Sequence, residues 1–325
     1  MPQKVEISAK TIIFTVFFLL GLILLWQIKE LIFSLFIAFI IAGALKPLVL
    51  FLEKKKLPRF LATFFVYFLF IFIIANLFAA VVPPLVREIS HLFKNLPHMI
   101  EKTVPSVSDY LDLNLVKQNL PNLANQLVDI IRSFFSNIIF ITTTLFFGFY
   151  LLLERDPVGR LLDNFFDDNQ AKKIALIMER AQKRTGAWFW GEVILMTIIG
   201  IMIYVGLLFI GMRYAVALAV LAGLLEVVPT LGPIISAVVA SLIGFSTSPV
   251  LGISNLILFF IVQQLENHLV VPVVMRKVVG IHPIITLIAL FIAGRVAGIL
   301  GVLLAVPATI FIETILIENQ KLSRR

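Results

Sequence analysis

Residues 214–245 read YAVALAVLAGLLEVVPTLGPIISAVVASLIGF, 32 positions with a single charged side chain, Glu226, and with Pro229, Gly232 and Pro233 close behind it. A spanning helix needs about 20 apolar residues to cross a hydrocarbon layer of about 30 Å. At about 1.5 Å per residue this stretch would reach roughly 50 Å as a straight helix. Proline removes an amide donor and clashes with the preceding turn, while glycine permits a sharp bend, so the stretch must break near its middle. A second stretch behaves alike: residues 284–317 are apolar apart from Arg295 and Glu313, and are interrupted by Gly294, Gly298 and Gly301. Each reads either as a kinked spanning helix or as a re-entrant hairpin.

Working outward, the remaining apolar runs are residues 11–27, 31–52, 60–86, 134–153, 193–212 and 250–265. With the two long stretches they make about eight spans, which predicts an all-α, polytopic transmembrane fold with two interrupted spans. Composition agrees. Of 325 residues 60% are hydrophobic and 14% charged, and the mean hydropathy is +1.03, against roughly 25% charged in a soluble domain. The run at 11–27 reads as a signal anchor, because no small-residue cleavage motif follows and the next span begins almost at once.

The chain is thereby divided into transmembrane helices 1–3 over residues 1–86, an extracytoplasmic amphipathic helical insert over 87–133, and the fourth transmembrane helix over 134–153. A cytoplasmic polar insert over 154–192, a transport region with interrupted helices over 193–317, and a basic tail over 318–325 complete it. Lys and Arg concentrate in cytoplasmic connections. Lys4, Lys10, Lys54, Lys55, Lys56, Arg59, the cations of residues 154–192 and the terminal Arg324 and Arg325 fall on one side if the early spans alternate, which puts both termini in the cytoplasm. Arg276 and Lys277 join that side only if both interrupted segments are hairpins, so charge favours hairpins. The net charge of +8 reads as orientation and headgroup contact rather than nucleic-acid binding, since no basic stripe stands on a soluble domain.

Between residues 191 and 275 the only charged side chains are Glu192, Arg213, Glu226 and Glu266. Glu192 and Arg213 read as span ends. Glu226 precedes a helix break, and an ionisable group inside a membrane costs at least ~2.5–3.5 kcal/mol on insertion scales, so it needs a partner or water. A second cluster is Gln263, Gln264, Glu266, Asn267 and His268, followed by Pro272. Gln263 with Asn267, and Gln264 with His268, are four apart and share a helix face, so at least one polar face must look into protein or water. Arg295, whose guanidinium keeps its proton, is expected to pair with Glu266 or Glu226, and Gly294 and Gly298 around it permit close helix approach. The resulting pathway set is Glu226, Pro229, Gly232, Pro233, Gln263, Gln264, Glu266, Asn267, His268, Pro272, Arg295 and Gly298.

Enzyme readings find no support. Nucleophile-elbow, zincin, phosphate-loop and dinucleotide-loop motifs are absent, the four histidines show no metal-ligand spacing, and no cysteine exists for thiolate chemistry. No catalytic residue, cofactor or metal site is expected.

Leu225-Glu226-Val227-Val228-Pro229-Thr230-Leu231-Gly232-Pro233, Gln264-Leu265-Glu266-Asn267-His268-Leu269-Val270-Val271-Pro272, Val279-Gly280-Ile281-His282-Pro283 and Gly298-Ile299-Leu300-Gly301-Val302-Leu303-Leu304-Ala305-Val306-Pro307, in this order and spacing, resemble the autoinducer-2 exporter family, also called PerM-like permeases. Thr230 stands where members often carry an aromatic residue. The resemblance implies a bacterial cell-membrane, multi-pass, homo-oligomeric transporter that exports a small hydrophilic molecule such as autoinducer-2. Some members of that family are sodium/proton antiporters, so H+ or Na+ is the implied alternative cargo or coupling partner. A non-transport scaffold acting through the residues 87–133 insert is the remaining reading.

Overall fold

The computed structural model describes residues 9–77, 79, 83, 137–155, 159–160, 166–275 and 283–323. The insert expected over 87–133 lies outside them. All regular structure among the described residues is helical, as it must be for single segments in lipid, where every backbone amide and carbonyl has to be satisfied within its own helix. The helices are α1 (Ala9–Gln27), α2 (Lys29–Lys54), α3 (Arg59–Leu77), α4 (Ile138–Leu153), α5 (Asp168–Phe209), α6 (Ala215–Leu225), α7 (Leu231–Thr247), α8 (Pro249–Leu265), α9 (Val271–Met275) and α10 (Pro283–Ser323). Six helical stretches are long and apolar enough to cross a membrane, while α4, α6 and α7 are shorter apolar helices. The outward faces of these helices are apolar: Phe14, Phe17, Phe68, Phe260 and Phe291 are all at least 60% exposed. That pattern suits a lipid solvent rather than water.

Helix α5 is the spine. Its 42 residues span about 63 Å, twice the hydrocarbon thickness, and contain no proline. Residues 168–192 of the polar insert expected over 154–192 are continuous with the apolar residues that follow in the same helix. Against the polar half lies α2, brought to backbone contact by paired glycines: a methyl on Gly186 would stand 2.5 Å from the Gly43 carbonyl carbon. Pro47 inside α2 lacks the amide that would bind the Gly43 carbonyl, and it is this freed carbonyl that faces Gly186. Trp190 Nε1 donates to Ala44 O at 2.8 Å and fixes the crossing.

Basic residues gather at one end of the bundle. Arg59 donates to the C-terminal carbonyls of α4, at 2.6 Å to Leu153, 2.9 Å to Leu152 and 3.1 Å to Glu154, as a cation at a helix C-terminus should. Arg184 binds Glu313 and Thr314, both at 2.9 Å, and Arg180 pairs with Glu318. These contacts lock the end of α10 to the polar half of α5.

Both overlong stretches double back. Within residues 214–247, α6 is only 11 residues, about 16 Å, which is too short to span. In a straight helix Leu225 and Gly232 would lie about 10 Å apart, yet a methyl on Gly232 would overlap the Leu225 carbonyl. Helices α6 and α7 are thus the arms of a hairpin with its tip at residues 226–230. Helix α10 breaks at Gly298 (φ 59°, ψ −137°), a backbone region that only glycine occupies without strain. A methyl on Gly301 would overlap Ala293 O, and one on Gly294 would stand 3.1 Å from Val302, so residues 283–297 and 299–323 also fold against each other. In both segments the chain turns back on itself at the break.

Candidate functional site

The first hairpin closes as sequence requires. The Glu226 amide donates to Ala222 O at 3.1 Å, the last α-helical bond of α6, and the Val228 amide to Leu225 O at 3.0 Å. Pro229 cannot continue the helix. The Leu231 amide then donates to Pro229 O at 2.8 Å across Thr230 (φ 70°, ψ −48°), which is a γ-turn of the strained, positive-φ kind. Pro233 follows in the first turn of α7, where a missing amide costs nothing. The tip therefore presents the C-terminus of α6, the N-terminus of α7 and the buried side chain of Glu226 at a depth of about 16 Å along the short arm.

Helix α8 delivers the second carboxyl. Ser248 caps it, accepting from the Leu251 amide at 3.1 Å. At its other end the ladder widens over Glu266–Val270, where the Val271 amide donates to Glu266 O five residues back. Pro272 explains the widening: it offers no amide to the His268 carbonyl and its ring would collide there, and π-turns of this kind recur at functional sites. The same turn rotates the side chains apart. Glu266 points inward and is 6% exposed, Gln263 is half-buried, and Gln264, Asn267, His268 and Pro272 are exposed. His268 Nδ1 contacts Gln264 O at 2.9 Å.

Glu226 and Glu266, both buried, face each other closely enough to interact, with Gln263 beside Glu266. Glu192 on α5, 7% exposed, lies close enough to feel both charges. Glu226 Oε2 is buried without a hydrogen-bond partner. Among the described residues no Lys or Arg forms an ion pair with any of the three carboxyls.

Sequence reasoning thus placed Glu226, Glu266 and Gln263 in one site, with Pro229, Gly232 and Pro233 shaping its tip. Two residues fall elsewhere than expected. Glu192, expected at a span end and outside the pathway set, is buried on α5 beside the two carboxyls. Its signal was the adjacent Gly191, where α9 closes in so tightly that a methyl would meet Met275 Sδ at 2.9 Å. Arg295 does not pair with Glu226 or Glu266. It is exposed, its guanidinium lying 5.8 Å from the centre of the Phe291 ring, three residues before the exposed Gly298 break. The long arm of this second hairpin reaches the neighbourhood of the acidic site through Val306 and Ile310, which pack with Trp188, Leu195 and Met275.

Two hairpins that end in broken backbone, one setting the buried Glu226 beside Glu266 from the end of α8 and against an uninterrupted spine, define a polytopic helical membrane protein. Comparison with known proteins agrees: the profile of the AI-2E family transporter matches residues 12–320, and the chain belongs to that family. It is 29% identical over 302 residues to "Putative transport protein YueF" of Bacillus subtilis (strain 168), covering 86% of this chain and 82% of that one. It is 25% identical over 328 residues to "Putative transport protein YrrI" of the same organism, covering 94% and 93%. A "Putative transport protein" of Thermotoga maritima is 25% identical over 300 residues, covering 88% and 89%. A membrane transport role follows.

Proposed function

We propose that the protein is a proton-linked secondary transporter that exports a small hydrophilic solute of the autoinducer-2 type, with the Glu226–Glu266 pair as its proton-binding element. The observation that carries this is the pair itself: two buried, neighbouring carboxyls at a helix break, with no basic partner among the described residues. Losing the shared proton would leave adjacent negative charges in a medium of low dielectric, a costly state that an incoming cation or the hydroxyls of a polar solute would relieve. Proton occupancy and cargo occupancy are thereby coupled. Arg295, near the second break, is positioned to meet an anionic group of the cargo. The basic end of the bundle, with both termini, lies in the cytoplasm by the positive-inside tendency.

Autoinducer-2 flux in proteoliposomes tests this. Native protein should accumulate the solute when a proton gradient is imposed, and Glu266→Gln, which reconstitutes equally, should retain downhill flux while losing the gradient response. Gradient-driven accumulation that persists in Glu266→Gln removes the pair from the mechanism. The absence of a basic partner also favours a second reading, cation/proton antiport. It predicts that Na+ or K+ alone, with no organic solute, moves protons across the same vesicles.

A further inference from the structure

Away from the acidic site, α2, the end of α4 and the polar half of α5 enclose a cavity of about 360 Å³. Its lining has two chemistries. Lys46, Arg155 and Lys172 supply three cations against one acid, Glu179, and Phe39, Leu151 and Leu176 supply an apolar wall. Spacing along the helices separates the two. Phe39 and Lys46 lie on one face of α2 two turns apart, about 10 Å along its axis, with Lys46 toward the basic end. Leu151 lies in the last turn of α4 and Arg155 just past its end, beyond the extended Glu154, while Lys172 precedes Leu176 by one turn on α5. The cavity therefore gathers its cations toward the basic end of the bundle, with the apolar side chains one or two turns further along α2 and α5.

The cations are not consumed by the protein. Lys46 is half-buried and Lys172 exposed, and among the described residues neither forms an ion pair. Arg155 reaches only Glu53, at 3.5 Å, with its side chain 80% exposed. Three converging donors above an apolar slot match a phosphate joined to an acyl chain, the chemistry that basic pockets between membrane helices select. We propose that this cavity is a binding site for an anionic phospholipid, its phosphate held by Lys46, Arg155 and Lys172 and one chain lying along Phe39, Leu151 and Leu176.

The test is native mass spectrometry of the full-length protein released from detergent, titrated separately with dioleoyl phosphatidylglycerol, dioleoyl phosphatidylcholine and inorganic phosphate. The expected result is retention of phosphatidylglycerol over phosphatidylcholine, with affinity about tenfold weaker in Lys46→Gln/Lys172→Gln, a variant whose gel-filtration profile should match the native one. Leu176→Asp should weaken binding through the apolar wall while leaving the cations intact. Equal retention of the two lipids, or an unaltered preference in the double variant, overturns the site. Inorganic phosphate that displaces phosphatidylglycerol completely, or a Leu176→Asp variant that binds normally, overturns the assignment to a lipid and leaves a simple anion site.

Discussion

Thr230 holds a backbone conformation that its side chain opposes, and replacing it by glycine should stabilise the protein. At φ 70° and ψ −48° a β-branched residue pays a steric penalty, of order 2 kcal/mol for such strained positions. The Thr230 side chain is exposed and makes no capping hydrogen bond, so truncation forfeits few contacts. Glycine removes the penalty but brings back about 0.5–1 kcal/mol of unfolded-chain entropy. The net gain expected for Thr230→Gly is about 1 kcal/mol, roughly a fivefold rise in the folded-to-unfolded ratio. Thr230→Ala keeps Cβ, and most of the strain with it, so it should fall near the native value. Reversible unfolding of purified protein in mixed micelles by titration with sodium dodecyl sulfate would measure all three. The reasoning fails if Thr230→Gly is no more stable than native protein, or if the alanine variant gains as much as glycine. Because the strained turn carries Glu226, the same variants should also change solute turnover in vesicles.

Two further outcomes can be read with the same unfolding assay. Gly186→Val would drive a side chain into the Gly43–Ala44 backbone, which cannot swing aside, so α2 and α5 must separate at a cost of about 3 kcal/mol or more; Trp190 fluorescence should shift as its bond to Ala44 breaks. Arg184→Ala removes two partly exposed hydrogen bonds, to Glu313 and Thr314, and should cost about 1 kcal/mol, with Arg184→Lys recovering part of that and the difference shrinking at high salt.

Much of this architecture was written in length and punctuation. Stretches of 32 and 34 apolar residues are too long for one crossing, and Pro229, Pro233, Gly298 and Gly301 said where each must break. That the broken halves fold back on themselves was visible only as a bias in the placement of Arg276 and Lys277, because a kink and a reversal share the same breakers. Glu226 and Glu266 were legible because lone carboxyls in apolar surroundings demand an explanation. Glu192 was not, since an apolar run reveals its own extent but not that of the helix containing it, and α5 begins 24 residues earlier, at Asp168. The expected partner of Arg295 failed for another reason. Charge balance says that opposite charges would gain by meeting, yet which helix faces which is decided by side-chain fit, and here glycines at 43, 186, 191 and 223 set the crossings of α5 with α2, α9 and α6. The inward turn of Glu266, away from Gln264, Asn267 and His268, came from a ladder defect before Pro272 that helical periodicity does not contain.

The length of α5 gives the experimenter a handle. One uninterrupted helix carries Glu192 beside the carboxyl pair and, nearer its start, presents Lys172 and Glu179 exposed. The chain has no cysteine, so a single one introduced at Glu179 would be the only thiol in the protein. A fluorophore or spin label attached there would sit exposed on the same stiff rod as Glu192, and would report from a distance the movements of the buried acidic site.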